Sequence, residues 1–356
     1  MKKLTFLFAM VFAVSMAMAQ TNTATVNQSD DSHEATVDQT GSVNTATVTQ
    51  TNEDNEAHVT QVNENSASGF SVLSDVNQSG EDNLATVEQT SNGSLSAANI
   101  VGVLETKIVQ SGDDNEALQI QGPESYKMGK AYASINQSGD DNFASQHQMS
   151  YGNQAYIIQS GDDNTAMQAQ DTDLLFPDDD GSYNYAMINQ TGDDNWAQQE
   201  QNGHANIAYA YQYGDDNKSI QIQNAWKSDA SVLQDGDDNF AKQKQDGSLN
   251  SATIEQWSDD NKAIQKQSSD ANRGVSAAYD PLNDAEIYQW GGDDNFAKQK
   301  QSTPGGNIDM NYGGIWQNGS DNCAVQVQWG GFNSATVSQT GNDHKAFVTQ
   351  NQSVMQ

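Results

Sequence analysis

One short pattern recurs along almost the whole chain: Gln-x-Gly-x-x-Asn-x-Ala-x-x-x-Gln. Clear copies are QSGDDNEALQIQ from Gln110, QSGDDNFASQHQ from Gln137 and QTGDDNWAQQEQ from Gln190. Over most of the sequence the closing Gln recurs every 11 residues, with Ala four residues and Asn six residues before it. A fixed period of this kind indicates a repeat fold, in which each copy packs mainly against its neighbours.

Successive copies alternate in kind. One kind carries an acidic turn, such as Gly112-Asp113-Asp114-Asn115, and the next carries a variable turn, such as MSYG after Gln148. Six insertions interrupt the period, and all fall in the variable kind: they follow Gln61, Gln89, Gln121, Gln170, Gln267 and Gln301. The repeating unit is therefore about 22 residues long, with loop insertions collected on one edge, which is typical of a solenoid.

The constant residues of each copy share one parity. Asn, Ala, the second residue after Ala, and Gln would point to the same side of a β-strand, because side chains alternate between the two faces. We therefore predict an all-β fold, a parallel two-sheet β-solenoid of about 13 coils, with the constant residues inward. Stacked amides would then pair from coil to coil, as in a steric zipper. The predicted inward ladder includes Asn115, Ala117, Gln121, Asn142, Ala144, Gln148, Asn195, Ala197, Gln201, Asn239, Ala241 and Gln245.

The first 19 residues have the features of a secretory signal peptide. Lys2 and Lys3 form a basic start, LTFLFAMVFAV is an apolar run, and Ala17-Met18-Ala19 is a small-residue cleavage site. No segment approaches the about 20 apolar residues that a membrane-spanning helix needs. The sequence predicts a secreted, extracellular protein without a transmembrane segment. Its β-solenoid would occupy residues 20–350, and residues 351–356 would form a C-terminal tail.

Charge and cysteine content exclude several functions. The chain has 15 Lys and Arg against 48 Asp and Glu, a formal net charge of -33, which argues against nucleic acid or anionic membranes as partners. The single Cys323 cannot form an intramolecular disulfide. No nucleophile–base pair, phosphate-binding loop or zinc spacing is present. We expect no enzymatic activity and no cofactor, apart from the weak cation binding considered below.

The repeat resembles the curlin repeat of curli fibre subunits, the extracellular amyloid of bacterial biofilms. The resemblance covers nearly all of the chain after the signal peptide. It implies a subunit that is exported and polymerises with itself, with outer-membrane secretion machinery and a nucleator as partners. The family's inward Asn and Gln correspond to pairs such as Asn115 with Gln121 and Asn142 with Gln148. This chain has more repeats than is usual in that family.

The acidic turns are the main candidates for binding chemistry. Stacking would place like charges about 5 Å apart, at the spacing of neighbouring strands. A solvated acidic edge that limits lateral aggregation is one interpretation. Weak binding of Ca²⁺ by carboxylate oxygens is the other, and both stay open at this point. The residues concerned are Asp113, Asp114, Asp140, Asp141, Asp162, Asp163, Asp193, Asp194, Asp215, Asp216, Asp237 and Asp238.

A basic group stands out against the acidic background. Three consecutive coils contain six lysines: Lys242, Lys244, Lys262, Lys266, Lys298 and Lys300. They would solvate one face of the solenoid or offset acidic edges of neighbouring fibrils. Binding of an anionic polymer is the alternative.

The pattern begins at Asn22 and continues to Gln350 without a capping element, which favours a polymer over a monomer with protected edges. The alternative is a monomeric acidic solenoid that acts as an adhesin or cation-binding surface protein. In a polymer, the last coil of one subunit would stack on the first coil of the next. His33 would then lie near His344, and Val37 near Val348, because SHEATVDQ and DHKAFVTQ both place His in the Asn position. Paired imidazoles would make this junction sensitive to pH.

Overall fold

The computed structural model describes residues 22–64, 70–91, 102–122, 130–149, 152–171, 183–269, 283–303 and 310–351. The predicted signal peptide, the central part of each of the six insertions, and residues 352–356 of the predicted tail lie outside the described residues. All regular structure in these ranges is β-strand. The chain divides into two compact units, Met1–Tyr183 and Asn184–Gln356.

The first unit contains twelve strands in two parallel sheets. One sheet has the order β1 (Thr23–Gln28), β3 (Asn44–Glu53), β5 (Phe70–Glu81), β7 (Gly102–Ser111), β9 (Lys130–Ser138) and β11 (Gln154–Ser160). The other has the order β2 (Glu34–Gly41), β4 (Glu56–Asn63), β6 (Leu84–Ser91), β8 (Glu116–Gln121), β10 (Phe143–Gln148) and β12 (Thr165–Asp171).

The second unit repeats this arrangement with fourteen strands. Its odd-numbered sheet has the order β13 (Tyr185–Thr191), β15 (Ile207–Tyr213), β17 (Asp229–Asp235), β19 (Asn250–Gln256), β21 (Asn283–Trp290), β23 (Asn311–Asn318) and β25 (Ser334–Thr340). Its even-numbered sheet has the order β14 (Trp196–His204), β16 (Lys218–Trp226), β18 (Phe240–Ser248), β20 (Lys262–Ser269), β22 (Phe296–Thr303), β24 (Cys323–Trp329) and β26 (Lys345–Asn351).

Neighbouring strands are parallel and in register. Ala144 pairs with Ala117 on one side and Ala166 on the other, so each constant residue meets its own kind. A slip of one residue would turn the whole inward set to solvent, because side chains alternate along a strand. The predicted all-β, parallel two-sheet β-solenoid is thus confirmed, with six coils in the first unit and seven in the second.

The core of each unit is thin. Odd-numbered strands contribute Ala and then Ile or Val, as in Ala155 and Ile157, both fully buried. Even-numbered strands contribute Ala and, in most coils, Gln, as in Ala144 and Gln146. The small Ala lets the sheets approach, and each buried Ile contributes roughly 1.5–3 kcal/mol to the free energy of unfolding. The amides that fill the rest of the core must therefore be hydrogen-bonded.

The acidic turn has a backbone that explains its constant residues. Gly139 has φ +101°, and a Cβ there would lie 2.3 Å from the carbonyl oxygen of Gly161 in the next coil. The second Asp of each turn is left-handed, as in Asp141 with φ 56°, a conformation that Asp and Asn adopt more readily than most residues. The variable turn has left-handed residues at the same place, but they are unrelated: Val43, Ala205, Lys227, Leu249 and Phe332.

Within the described ranges, no helix is long and apolar enough to cross a membrane.

Candidate functional site

The glutamine side chains form continuous hydrogen-bonded ladders within each unit. In the even-numbered sheet, Gln121 Nε2 donates to Gln148 Oε1 at 2.8 Å, and Gln148 Nε2 donates to Gln170 Oε1 at 2.8 Å. The odd-numbered sheet repeats this with Gln110, Gln137 and Gln159 at 3.0 Å. In every one of these pairs the earlier coil donates to the later coil, so the glutamine ladders have a direction.

Glutamine also ties the two sheets together. Gln148 Nε2 donates to the backbone carbonyl of Tyr132 on the opposite sheet (3.1 Å), in addition to its bond along the ladder. Gln146 makes the same kind of bridge to the carbonyl of Ser134 (3.0 Å). Each such amide is buried and uses both its donor and its acceptor capacity. The core is therefore held by a lattice of polar bonds as much as by apolar contact.

The asparagine ladder runs in the opposite direction. Asn142 Nδ2 and its backbone amide both donate to Asn115 Oδ1, at 3.0 and 3.1 Å, so here the later coil donates to the earlier one. The same Nδ2 donates to the carbonyl of Gly161 in the following turn (2.7 Å). Asn therefore connects the strand to the turns on both sides of it in the stack, which accounts for its fixed place after the turn.

The ladders have identifiable defects. The second inward site of the even-numbered strands is Val in β4 and β6 (Val59, Val87) and changes to Gln at Gln119. No partner is found among the described atoms for Gln119 Oε1, because Val87 in the preceding coil has no donor. Asn239 Nδ2 also has no hydrogen-bond partner among the described atoms. The acidic turn of the following coil starts at Ser258, which does not have the positive φ of the Gly that usually occupies this position.

The structure buries every residue of the predicted inward ladder. Each is at most 1 % exposed: Asn115, Ala117, Gln121, Asn142, Ala144, Gln148, Asn195, Ala197, Gln201, Asn239, Ala241 and Gln245. The outward residues between them are half-buried or exposed, and Cys323 is half-buried among them.

The first and last described coils differ from those between them, because their inward faces are accessible. Ala24 is exposed and Val37 is half-buried, whereas Ala46 and Val59 in the next coil are at most 1 % exposed. In the last coil, Val348 is also half-buried. Among the described residues no donor is found for Gln28 Oε1 or Gln39 Oε1, although their Nε2 atoms donate onward to the next coil.

The last coil presents the complementary groups. Gln350 Oε1 accepts from Gln328 Nε2 (3.0 Å), and Gln350 Nε2 donates only to the carbonyl of Ser334 within the described chain. The earlier glutamines of this ladder, by contrast, each donate to the glutamine of the next coil, as Gln121, Gln148 and Gln328 do. The first described coil therefore offers glutamine acceptors, and the last offers glutamine donors.

The two junction histidines take over the hydrogen bonds of asparagine. His33 Nε2 donates to the carbonyl of Ser29 (2.7 Å), and its Nδ1 accepts from the backbone amide of Asn55 in the next coil (3.3 Å). His344 Nε2 donates to the carbonyl of Thr340 (3.0 Å). In this arrangement of His33, Nε2 faces a carbonyl oxygen and Nδ1 faces a backbone amide, as the two polar atoms of an Asn side chain would. His344 lies in the last described coil, so no described residue follows it in the stack. The predicted contact between His33 and His344 would form between two subunits and is therefore not seen in a single chain.

The first Asp of the acidic turns has a structural role that was not predicted from the sequence. Its carboxylate accepts the backbone amide of the equivalent residue one coil earlier: Asp113 N donates to Asp140 Oδ1 at 2.9 Å, and Asp215 N donates to Asp237 Oδ1 at 2.9 Å. Ser320 N donates to Asn342 Oδ1 in the same way at 3.0 Å. The presence of Asn342 where other turns have Asp was the available signal that an oxygen acceptor, rather than a charge, is required there.

The second Asp of the acidic turns is the site of repulsion between carboxylates of successive coils. These side chains are exposed, and backbone hydrogen bonds such as Asp163 N to Asp140 O hold their turns together from coil to coil within each unit. Desolvation, and then the carboxylates of Asp141 and Asp82, raise the pKa of Asp114. Desolvation and the neighbouring Asp238 and Asp194 likewise raise the pKa of Asp216. Protons therefore bind these carboxylates more tightly in the folded stack than in the unfolded chain.

No group of three or more His, Cys, Asp or Glu side chains suited to hold a metal ion occurs within the described ranges. All the predicted cation-binding Asp residues lie along the acidic edge of their unit. In each turn the first Asp belongs to the hydrogen-bonded column and the second to the left-handed column, and one carboxylate oxygen of Asp140, Asp215 and Asp237 is already an acceptor for a backbone amide.

Comparison with known families identifies the repeat. The curlin-associated repeat matches residues 21–51, which include the first coil and most of β3, and residues 327–351, which include the end of β24 and the last coil. The chain thus contains the curlin-associated repeat at these two places, within a parallel β-solenoid of stacked Asn and Gln, and the resemblance that the sequence suggested is confirmed. No curated protein matches the chain.

Replacing Gln148 by Ala should destabilise the solenoid by about 1–3 kcal/mol for each polar atom that it leaves unpaired. The loss of this side chain removes its hydrogen bonds with Gln121 Nε2, Gln170 Oε1 and the carbonyl of Tyr132. Gln154→Ala makes the same chemical change at an exposed, outward position and should have little effect, as should substitution of exposed Glu116. Urea titrations followed by circular dichroism would compare the variants, and equal midpoints for the inward and outward Gln would contradict the assignment.

Removing charge from the left-handed column should stabilise the chain at pH 7 and not at pH 4. The raised pKa values of Asp216 and Asp260 mean that the ionised column opposes folding. Because a raised carboxyl pKa costs stability above that pKa, the penalty should fade as pH drops toward the ordinary value of about 3.9. A triple variant, Asp216→Asn with Asp238→Asn and Asp260→Asn, should melt above wild type at pH 7 and converge with it near pH 4.

The matched control loses three charges elsewhere, with Asp38→Asn, Asp75→Asn and Glu88→Gln, and should change the melting temperature less. NaCl should reproduce part of the gain of the triple variant by screening. If CaCl₂ at equal ionic strength stabilised wild type well beyond NaCl, the column would bind cations rather than merely repel itself.

Proposed function

We propose that this protein is a curli-like subunit that polymerises end to end into extracellular fibres of a biofilm matrix. The observation that carries the proposal is the complementarity of the first and last described coils. One offers Gln28 Oε1 and Gln39 Oε1 as acceptors, and the other has Gln350 Nε2 as donor. A second copy placed on the last coil would continue the two glutamine ladders that end at Gln339 and Gln350 in their own direction, onto Gln28 and Gln39.

The asparagine ladder favours the same arrangement. Because the later coil donates to the earlier one, Asn333 Oδ1 and His344 Nδ1 would receive the backbone amides of Asn22 and His33 from the next copy. Val37 and Val348, each half-buried at an end, would be covered by one another's coils. Alternation of odd- and even-numbered strands would also continue, since β26 of one copy would be followed by β1 of the next.

The family match and the composition support the rest of the proposal. Curlin repeats are associated with extracellular fibres, and the signal-peptide features at residues 1–19 indicate export. We propose that the chain acts as a structural polymer without catalytic activity or a required cofactor. Secretion machinery of the outer membrane and a nucleator would be its partners, as the resemblance implies. A monomeric adhesin is the competing proposal, and the growth experiment separates the two.

The test is seeded growth of purified residues 20–356 with a variant that blocks one end. Val37→Lys places a charge in the inward face of the first coil, where it would be left without water in a fibre. Thr36→Lys adds the same charge at the exposed neighbouring position, which points outward. Wild type and Thr36→Lys should extend sheared fibril seeds, measured by thioflavin fluorescence and electron microscopy, whereas Val37→Lys should extend them at least about tenfold more slowly, the effect of about 1.4 kcal/mol.

Far-ultraviolet circular dichroism of the unpolymerised variants would show that both still fold. A wild-type chain that remains monomeric with seeds present would overturn the proposal in favour of the adhesin. Equal growth of the two lysine variants would show that polymerisation uses another surface.

The junction histidines predict a loss of growth at low pH. Nδ1 of a neutral His344 can accept the amide of the next copy, but a protonated ring cannot, and histidine commonly changes charge between pH 5 and 8. Asn accepts the same bond at either pH. The double variant His33→Asn with His344→Asn should therefore grow faster than wild type at pH 5 and equally fast at pH 7.5. The same ratio of growth rates at both pH values would eliminate this role.

A further inference from the structure

The two outer faces of the second unit carry opposite charge. One is formed by the outward residues of the even-numbered strands β14 to β26, and we call it the lysine face. The other is formed by the outward residues of the odd-numbered strands β13 to β25, and we call it the acidic face. The lysine face contains two acidic residues, Glu200 and Asp246, and the acidic face contains no Lys, Arg or His among its described residues.

The lysine face concentrates its charge in three neighbouring coils. Lys244, Lys266 and Lys300 are directly aligned in β18, β20 and β22, and Lys242, Lys262 and Lys298 lie on the same strands. Among the described lysines of the chain, Lys244 alone forms an ion pair, with Asp246 at 3.5 Å. Like charges at the spacing of neighbouring strands repel one another, and an anionic partner facing Lys266 and Lys300 would relieve that repulsion.

Aromatic side chains hold part of this face in place. Lys218 Nζ lies 4.3 Å from the ring centre of Trp196, and Lys262 Nζ lies 5.2 Å from that of Phe240. The pairing gives an aligned column in which aromatic residues and lysines alternate from β14 to β22. The ammonium groups of Lys266, Lys298 and Lys300 have no such partner in the described chain and are exposed.

The acidic face carries the opposite charge in the same coils. Asp229 and Asp235 lie on β17, Glu255 lies on β19, and Asp284 and Glu286 lie on β21. Neighbouring rings orient two of the carboxylates: Tyr312 donates its hydroxyl to Glu286 (3.0 Å), and Trp257 Nε1 donates to Glu255 (3.2 Å). None of these five acids forms an ion pair within the described chain.

The electrostatics of this face agree with missing counter-charge. Desolvation, with Glu286 nearby, raises the pKa of Asp284, and burial together with the hydrogen bond to Glu286 raises the pKa of Tyr312 to about 12. Burial is the larger cause of both pKa shifts, and the nearby negative charge of Glu286 adds to it. A facing ammonium group would lower the pKa values of Asp284 and Tyr312.

We propose that the lysine face of one copy docks on the acidic face of another copy, so that filaments associate side by side through the second unit. Both faces repeat at the same coil spacing of about 4.8 Å, so one register brings several opposite charges together at once. Seven coils of seven-residue strands give a face of roughly 34 by 23 Å, near the 800 Å² per partner of a stable interface. The proposal rests on the proposed fibre function. A filament repeats the contact along its length, and this multivalency would strengthen the association between filaments.

A polyanion would also be attracted to the lysine face. Charge complementarity favours a second copy, because a polyanion leaves the acidic face of the same coils without a partner. The Tyr and Trp side chains that line the acidic face are also residue types enriched at protein–protein interfaces. The two explanations differ in one respect: only docking between copies requires both faces.

Charge reversal with complementation tests the proposal. The first variant combines Lys266→Glu with Lys300→Glu, and the second combines Asp284→Lys with Glu286→Lys. Lys107→Glu with Lys130→Glu is the matched control for the first, because it makes the same charge change at exposed outward positions of the first unit. Low-speed sedimentation and electron microscopy measure side-by-side association at low salt, and thioflavin fluorescence measures elongation separately.

We expect each face variant to elongate normally but to lose at least about tenfold in side-by-side association, while the control behaves like wild type. A mixture of the two face variants should recover association, because each supplies the charge that the other lost. Association in both single variants at the wild-type level, or no recovery in the mixture, would overturn the proposal. Loss in the lysine variant alone, together with loss of its binding to polyphosphate, would indicate a polyanion and would also overturn it.

If no chain elongates, the proposed fibre function fails while the face contact can still be judged. Analytical ultracentrifugation of the unpolymerised mixture should then detect association between the two variants at low salt and its loss at high salt. Its absence would overturn the contact independently of the fibre.

Discussion

Hydrogen bonding between identical side-chain amides in successive coils is the interaction on which the rest of this structure depends. A core this thin cannot rely on apolar burial alone, because half of its inward positions are Asn or Gln. Each buried amide that finds its partners adds a modest net stabilisation of about 0.5–1.5 kcal/mol, whereas an unpaired one costs more than that. The advantage therefore comes from repetition, and it explains why the copies resemble one another so closely at inward sites.

The same repetition has an electrostatic cost at the turns. A stack in register brings every acidic turn beside its own kind, and the raised pKa values of Asp114, Asp216 and Asp260 reflect this crowding. The two Asp residues of a turn nevertheless have different structural roles. The first closes a hydrogen bond to the neighbouring coil, and the second adopts a left-handed backbone that few other residues tolerate. The acidic edge is thus in part a by-product of turn chemistry.

The proposed end-to-end assembly rests on the direction of the ladders. Glutamine donates forward and asparagine donates backward along the stack, so the first described coil presents glutamine acceptors and the last presents a glutamine donor. Heterologous contacts of this kind generate open filaments. The outward faces are free of this constraint, and in the second unit they have diverged into one basic and one acidic surface.

The 11-residue period and the shared parity of Asn, Ala and Gln were enough to determine the two-sheet solenoid, the number of coils and the inward position of residues such as Gln121 and Gln148. The reason is that a parallel stack in register turns a sequence repeat directly into a spatial one. The sequence could not give the direction of the ladders, the bridge from Gln148 to the opposite sheet, or the acceptor at Asp140, since these depend on side-chain rotamers and on atoms of other coils. The separation of Lys266 and Asp284 onto opposite faces likewise became visible only when the strands were assigned to their sheets, because the charge of a face belongs to many coils at once.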